Sequence, residues 1–379
     1  MGDKKKVLAF AREPGGADTI APVIGQLRKR DRVEAILLAK EYAGARFAAA
    51  GLDYREVAWA DESSLRQQVA EIVQTERPDA LLTSASSRPQ DDMTEKYFWK
   101  MGGDLQVPSL AVLDQWQNYI LRFSGPGAGE KLGYMPTCVA VMDETVRREM
   151  IAEGFPDERI LVTGHPRFAA LRAYGERGNR ATARGKLAAL GIDPEAVVVT
   201  FVSEPARRFF AAEEGFDEAS TLTALLASCK PLAQDRKVEV VLKYHPRNLP
   251  EDFSAVHGPE DGANLRLHHM QNQLEPWDLL LASDLVVGMI SILLVDSVLL
   301  GVPTLSVQLG GGNEGRCVPE KYGAISVVRQ TALLPDEVAA LLTREEYRRQ
   351  YLKRQQKFTV VRDAIARIED KVYEFAGAN

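Results

Sequence analysis

Short apolar runs alternate along this chain with longer stretches in which apolar residues recur at spacings of three and four. The first pattern reads as a strand buried on both faces, the second as an amphipathic helix. Strands are expected at Val7–Ala11, Val33–Ala39, Ala80–Ser84, Ser109–Asp114 and Cys138–Met142, with a short one at Arg159–Val162. Helices are expected between them at Asp18–Arg30, Glu41–Ala50, Glu62–Thr75, Met93–Met101 and Glu144–Glu153. The mixed, charged segment Gly164–Asp193 breaks the alternation, and a hinge is placed there or just before it. The pattern then restarts with strand Ala196–Val202, helix Ala219–Ala233, strand Val238–Lys243 and a short strand Leu265–His268. Such alternation predicts parallel sheets wrapped by helices. Three segments follow: a first α/β domain at 1–170, a second at 171–343, and a polar helix or helix pair at 344–379, which is either a solvated face or a final helix that packs back across both halves.

The most apolar stretch is SDLVVGMISILLVDSVLLGVPTLSV, Ser283 to Val307. It is too interrupted for a membrane span. It divides into strand Asp284–Val287, turn Gly288–Ile290, helix Ser291–Leu300 with Ser291 as N-cap, and strand Thr304–Val307 after Gly301 and Pro303. Asp296 lies inside that helix. A buried acid is costly unless paired. Either it bonds locally, or it faces the strand ends and holds ligand hydroxyls.

Composition narrows the field. A chain of 379 residues exceeds one ordinary core. The 45% hydrophobic and 26% charged content is that of a soluble globular protein, and the net charge of −6 argues against general nucleic-acid binding. Cys138, Cys229 and Cys317 are scattered, which suggests neither a metal site nor a disulfide framework and suits a reducing cytoplasm. The start MGDKKKVLAFA lacks the apolar core of a signal peptide. No Asp-x-Asp pair occurs, and the neighbours His268 and His269 would point to opposite faces of a strand, so no catalytic metal is expected. A basic strip at Arg344–Lys357 is the candidate for peripheral contact with the inner face of a membrane.

In doubly wound sheets ligands bind beyond the carboxyl ends of the strands, so the residues just after strands carry the chemistry. In FAREPGGADTIAPVI, Gly15 and Gly16 are expected as a tight turn before a helix capped by Asp18, with amides that suit anions. It is neither a dinucleotide fingerprint nor a P-loop. Glu13 there is a surface residue or a catalytic carboxylate. LDQWQNYILRF places Asp114 at a strand end, followed by Trp116, Asn118, Tyr119, Arg122 and Phe123. These form either a packed surface helix or an acceptor pocket. TSASSRPQDDMTEK offers Ser84, Ser86, Arg88 and Glu95. Two His-Pro-Arg triplets follow strands, at His165 and His245, and Lys243, His245 and Arg247 make a phosphate cradle. FVSEPARR adds Ser203 and Glu204. VQLGGGNEGRC adds Gly311 and Asn313, in a flexible loop or in contact with a base or phosphate.

These segments resemble the two-domain glycosyltransferases of the GT-B fold. The relatives are the CDP-glycerol glycerophosphotransferases, lipid A disaccharide synthases and UDP-N-acetylglucosamine 2-epimerases. ILVTGHPRFAAL is similar to the vtGxPRxdxL segment of the first group, and LKYHPRN to its xHPr strand end. SILLVDSVLLGVP keeps the order of Ser, an acid five residues on, and Pro seven further. REPGGAD is similar to the Glu-x-Ser-Gly-Asp loop of the lipid A synthases. Where the glycerophosphotransferases have Thr-Asp-Tyr-Ser-Ser, this chain has Gly288–Ile292 and keeps only Ser291. The resemblance implies two Rossmann-like domains facing a cleft, with the C-terminal helix on the first. It implies metal-independent transfer of a sugar from a nucleotide-diphosphate donor, expected to be UDP-linked, to a saccharide or lipid-linked acceptor. No further cofactor is implied. Donor binding falls to Lys243, His245, Arg247, Ser203, Glu204, Gly288, Ser291, Gly311, Asn313 and Asp296, the last on ribose. Asp114, Glu13 or His165 would be catalytic, and Gly15, Gly16, Trp116, Asn118 and Arg122 would meet the acceptor. A sugar-nucleotide epimerase and a non-catalytic binding or assembly subunit are the alternatives.

Overall fold

The computed structural model of the protein describes residues 4–57, 62–209, 211–259, 264–310 and 315–378. The chain forms two compact units, Met1–Ala170 with Val360–Asn379, and Leu171–Thr359.

The first unit is built on seven strands: β1 (Lys5–Ala11), β2 (Val33–Ala39), β3 (Arg55–Glu56), β4 (Ala80–Thr83), β5 (Ser109–Val112), β6 (Cys138–Val141) and β7 (Ile160–Val162). They pair in the order β3-β2-β1-β4-β5-β6-β7, every pair parallel. Their apolar runs are continuous because both faces are covered. Val7 and Ala9 pack with Ile20, Ile24 and Leu27 on one face, while Leu8 and Phe10 pack with Val69 and Phe98 on the other.

The helix Ala364–Ala376 adds Ile368, Val372 and Tyr373 to the first of these cores, so the end of the chain returns to this unit as expected. Its entry depends on Gly164, which has φ +89° and would set a Cβ 2.6 Å from Val361 Cβ. Strain and overlap act together there. Gly164→Ala is expected to lower unfolding stability by about 2–4 kcal/mol, read from the midpoint of urea unfolding.

The second unit has β8 (Val197–Val202), β9 (Val238–Lys243), β10 (Leu265–Met270), β11 (Leu285–Gly288), β12 (Thr304–Val307) and β13 (Val327–Val328). Their order is β10-β9-β8-β11-β12-β13, again all parallel. The helix Glu345–Gln355 belongs to this unit. Gln355 is buried because its amide satisfies strand ends: Oε1 accepts from Thr304 N at 3.0 Å and Nε2 donates to the Val302 carbonyl at 2.9 Å. The polar tail is therefore a helix pair split between the two units. No helix among the described residues is long and apolar enough to cross a membrane.

In each sheet the chain starts at a central strand, runs to one edge, then returns to build the other side. The order reverses between β1 and β4 in the first unit and between β8 and β11 in the second. A crevice opens at such a reversal because the flanking connections leave in opposite directions.

One element starts earlier than its sequence pattern indicates. The first helix is Pro14–Arg30, with Glu13 extended at the N-cap and Pro14 at the first helical position. Gly15 and Gly16 are thus in the first helical turn rather than in a turn before it. Asp18 lies inside the helix, 3.9 Å from Arg46, and is not its cap.

Candidate active site

At the first unit's strand-order reversal, glycine lets a helix end approach two strand ends. A Cβ at Gly16 would stand 2.4 Å from Ser84 Cβ, and one at Gly15 would stand 2.5 Å from Asp114 Oδ2. Charge gathers on this edge. Arg12, buried, donates from Nη1 to Glu13 Oε1 at 2.9 Å and from Nε to Glu41 Oε2 at 2.9 Å. Burial pushes the Glu13 carboxyl above its ordinary range; Asp114 and Glu41 add to this, and Arg12 and Arg88 oppose it. Asp114 accepts from Arg122 Nη1 at 2.8 Å. Arg122 also donates to the carbonyls of Ala85 and Gln117, so one buried guanidinium ties together the loops after β4 and β5. Beneath it Glu95 is enclosed and accepts from Ser84 Oγ and the Ser86 amide. Burial raises the Glu95 carboxyl and lowers the Lys96 ammonium beside it. The edge thus pairs a raised acid, Glu13, with an acid held by arginine, Asp114. That suits proton exchange with a hydroxyl.

The other residues expected here sit differently. His165 is buried, with its ring against Trp116 and Phe168. Its Nδ1 accepts the Arg167 amide at 3.3 Å, so Nε2 carries the proton and donates to the Asp114 carbonyl at 3.3 Å. Burial first, then Arg167, pushes its pKa down to about 3. The ring is neutral and both nitrogens are engaged, so it steadies the loop of Asp114 instead of offering a free base. Trp116 is a core residue donating to Asp143 at 3.2 Å, not an open platform. Asn118 is exposed, at φ 60°, and makes no side-chain cap bond.

The His-Pro-Arg triplets share one geometry. In each, the His carbonyl accepts the amide three residues on, at 3.0 Å from Phe168 and 2.9 Å from Asn248. In each, the His Nδ1 accepts the amide of the Arg two residues on, at 3.0 Å in the second triplet. Proline between them has no N–H to satisfy and fixes φ. His245 therefore keeps its proton on Nε2. Burial, with Arg247 and Lys243 adding, lowers its pKa to about 4.

The second unit's reversal brings together Ser203 and Glu204 after β8 with Gly288, the last residue of β11, and Ser291 beyond it. Gly288 is required: a Cβ would lie 2.6 Å from Val202 Cγ2 and 3.0 Å from the Val202 carbonyl oxygen. The turn is then pinned from two sides. Ser306 Oγ donates to the Met289 carbonyl at 2.6 Å and itself accepts from Gln308 Nε2 at 2.9 Å. Glu204 Oε2 accepts the Ile290 amide at 2.8 Å. Ser291 caps the helix Ile292–Leu299, as its position in the sequence indicates. Burial, with Glu218 adding, pushes the Glu204 carboxyl up to about 7, against the Ile290 amide and Arg316. At the end of β9, Lys243 is buried, and its Nζ donates to the carbonyls of Tyr244 and Gln271. Arg247 is exposed beside His245. Asp296 is wholly enclosed and accepts from Trp277 Nε1 at 3.0 Å. Gly311 and Asn313 lie outside the described residues.

Sequence reasoning missed Arg12, Glu41, Trp277, Ser306 and Gln308. Arg12 had a signal, being a charged residue directly after an apolar strand. Glu41, Trp277 and Ser306 bond to partners far along the chain, and Gln308 enters only through Ser306. Among the described residues no group of three or more His, Cys, Asp or Glu is placed to hold a metal ion.

No family model matches the chain, and no curated protein does. Solved structures do. A UDP-GlcNAc 2-epimerase from Neisseria meningitidis bound to UDP-GlcNAc is similar with a TM-score of 0.67 at 15% identity, covering 97% of this chain and 100% of that one. A glycosyltransferase from Rickettsia africae is similar with a TM-score of 0.65 at 8% identity, covering 99% of both chains. MurG of Acinetobacter baumannii is similar with a TM-score of 0.59 at 11% identity, covering 98% of this chain and 99% of that one. At such identities the likeness is one of fold: the chain has the GT-B fold, with two parallel-sheet α/β domains.

Proposed function

We propose that this protein is an enzyme acting on a nucleotide sugar, and that it transfers the sugar to an acceptor hydroxyl in polysaccharide or glycolipid synthesis. The observation that carries the reading is the second unit's turn at Gly288–Ser291. It runs into an N-capped helix at the strand-order reversal, with Lys243 and His245 at the end of β9, the strand on the other side of β8. Helix amides, the Lys243 ammonium and the Nε2 proton of His245 would stabilise charge growing on a leaving diphosphate. These donors need no metal, and the donor substrate is expected to be UDP-linked. In the first unit Asp114 or Glu13 would take the acceptor proton. His165 would orient Asp114, and Arg122 would fix its carboxylate. Asp296 would reach ribose hydroxyls only if Trp277 gave up its bond. The acceptor is proposed to be a saccharide or lipid-linked, and the basic strip Arg344–Lys357 is the proposed membrane contact.

A sugar-nucleotide epimerase is the second reading. UDP-GlcNAc 2-epimerases are among the similar structures, with TM-scores of 0.60 to 0.68 that overlap the 0.59 and 0.65 of MurG and the Rickettsia africae glycosyltransferase. The test is thermal shift with UDP, GDP, CDP and their sugar derivatives, followed by incubation of a stabilising UDP-sugar without acceptor. Stabilisation and an unchanged or slowly hydrolysed sugar are expected. A new sugar isomer would select the epimerase, and stabilisation by none of the probes would end both readings.

A further inference from the structure

We propose that Glu204 is a built-in stand-in for the anionic part of the ligand: an incoming anion displaces it from the Ile290 amide, and its carboxyl takes up a proton as it leaves. The inference rests on the reading that a nucleoside diphosphate binds at the reversal between β8 and β11, and it adds a proton to that event.

The geometry supplies the argument. The Ile290 amide lies just ahead of the N-terminus of an eight-residue helix, where backbone dipoles favour negative charge. Glu204 Oε2 fills that position at 2.8 Å. Two of the turn's supports do not involve Glu204. Ser306 holds the Met289 carbonyl, and Gly288 is packed on Val202. Moving the carboxylate off the amide therefore leaves a positively polarised N–H on a turn still held by Ser306 and Val202.

A second acid stands beside the first. Glu218 has no solvent exposure; Oε2 accepts the Arg207 amide at 2.9 Å, and Oε1 is buried with no hydrogen-bond partner. A buried carboxyl oxygen without a partner favours the protonated form. The groups that face Glu204 come from three elements. The turn after β11 gives the Ile290 amide, the segment before helix Val318–Lys321 gives Arg316 and the Cys317 thiol, and helix Glu218–Cys229 gives Glu218. Burial pushes Cys317 up to about 12, so it stays neutral. Arg316 is thus the cation that faces Glu204, while Asp217 and Asp252 add negative charge around Glu218. An arriving phosphoryl anion adds negative charge to that set, and the acids respond by binding a proton. Above neutral pH the ionised Glu204 competes with the ligand for the same amide.

Calorimetric titration with UDP-N-acetylglucosamine tests this, because a diphosphate diester does not itself titrate near neutrality. The 379-residue chain is titrated in buffers of different ionisation enthalpy between pH 6 and 8.5. The wild type should take up roughly half to one proton per ligand at pH 7, and its affinity should fall by up to about tenfold per pH unit above that. Glu204→Gln should bind without proton uptake, show a flat pH profile, and exceed wild-type affinity at pH 8.5. Glu218→Gln should reduce the uptake in part. Binding by the wild type without proton uptake overturns this inference alone, as does a Glu204→Gln protein weaker at every pH. No binding at any pH overturns the nucleotide-sugar reading and this inference with it.

Discussion

Replacing Asp114 by asparagine should lower nucleotide-sugar turnover by roughly 10²–10⁴-fold, with the fold kept. Asparagine matches the carboxylate in volume and can still accept from Arg122 Nη1, which lies 2.8 Å from Asp114 Oδ1. What disappears is the negative charge. Arg122 retains the Ala85 and Gln117 carbonyls, so the stability cost should be about 1–3 kcal/mol. The loss of rate would then report proton transfer rather than unfolding. A second signature follows from the neighbouring acid. Asp114 is among the groups that hold the Glu13 carboxyl above its ordinary range. Removing that charge lowers the Glu13 pKa, so the acid limb of residual activity should move to lower pH. Glu13→Gln, by contrast, should abolish that limb where Glu13 is the base. The measurement is kcat and kcat/KM from pH 5 to 9 for the three proteins. Turnover within about threefold of wild type for Asp114→Asn would reduce Asp114 to an anchor for Arg122.

The two parallel sheets were legible because parallel strands are buried on both faces and so read as unbroken apolar runs; the GT-B fold itself was suggested only by the resemblance of segments such as those around His165, His245 and Asp296. β3 and β13 were not, since two residues at a sheet edge carry no period. The first helix was read as beginning at Asp18 because paired glycines look like a turn. Tertiary packing overrode that preference: Gly16 is small so that the helix can lie against Ser84. Position after a strand picked out Glu13, Asp114, Ser203 and Glu204, because doubly wound topology places such residues on one edge. It could not separate a ligand-facing ring from a core ring. Trp116 has the same neighbours in the sequence either way, and only its bond to Asp143 and its stacking on His165 place it inside. Asp296 stood out as an acid in an apolar helix, yet its partner Trp277 sits on the preceding helix with no local cue.

His165 should make the first unit acid-labile. The ring is nearly inaccessible, at 3% exposure. Burial, reinforced by Arg167, holds its pKa at about 3, well below its ordinary 6.5, against the pull of the Asp114 carbonyl. The folded state therefore resists protonation while the unfolded chain accepts it. Between those two values stability rises with pH; on acidification it is lost from about 6.5 downwards until the folded ring itself protonates near 3. The loss should be on the order of 3 kcal/mol by pH 4. His245, half-buried in the second unit, adds a smaller loss of the same sign. Carboxylates also titrate in this range, so the comparison must cancel them. His165→Asn does this, since asparagine can accept the Arg167 amide yet carries no titrating ring. At pH 7 the variant should be less stable by about 2–3 kcal/mol, for lost packing on Trp116 and Phe168. At pH 5 that gap should narrow by about 2 kcal/mol, because only the wild type is losing the histidine contribution. Urea unfolding of both proteins at the two pH values reads the gap directly. A gap that stays constant would mean that the ring titrates alike in the folded and unfolded chain. The neutral Nε2–H imidazole would then not be what supports the Asp114 carbonyl.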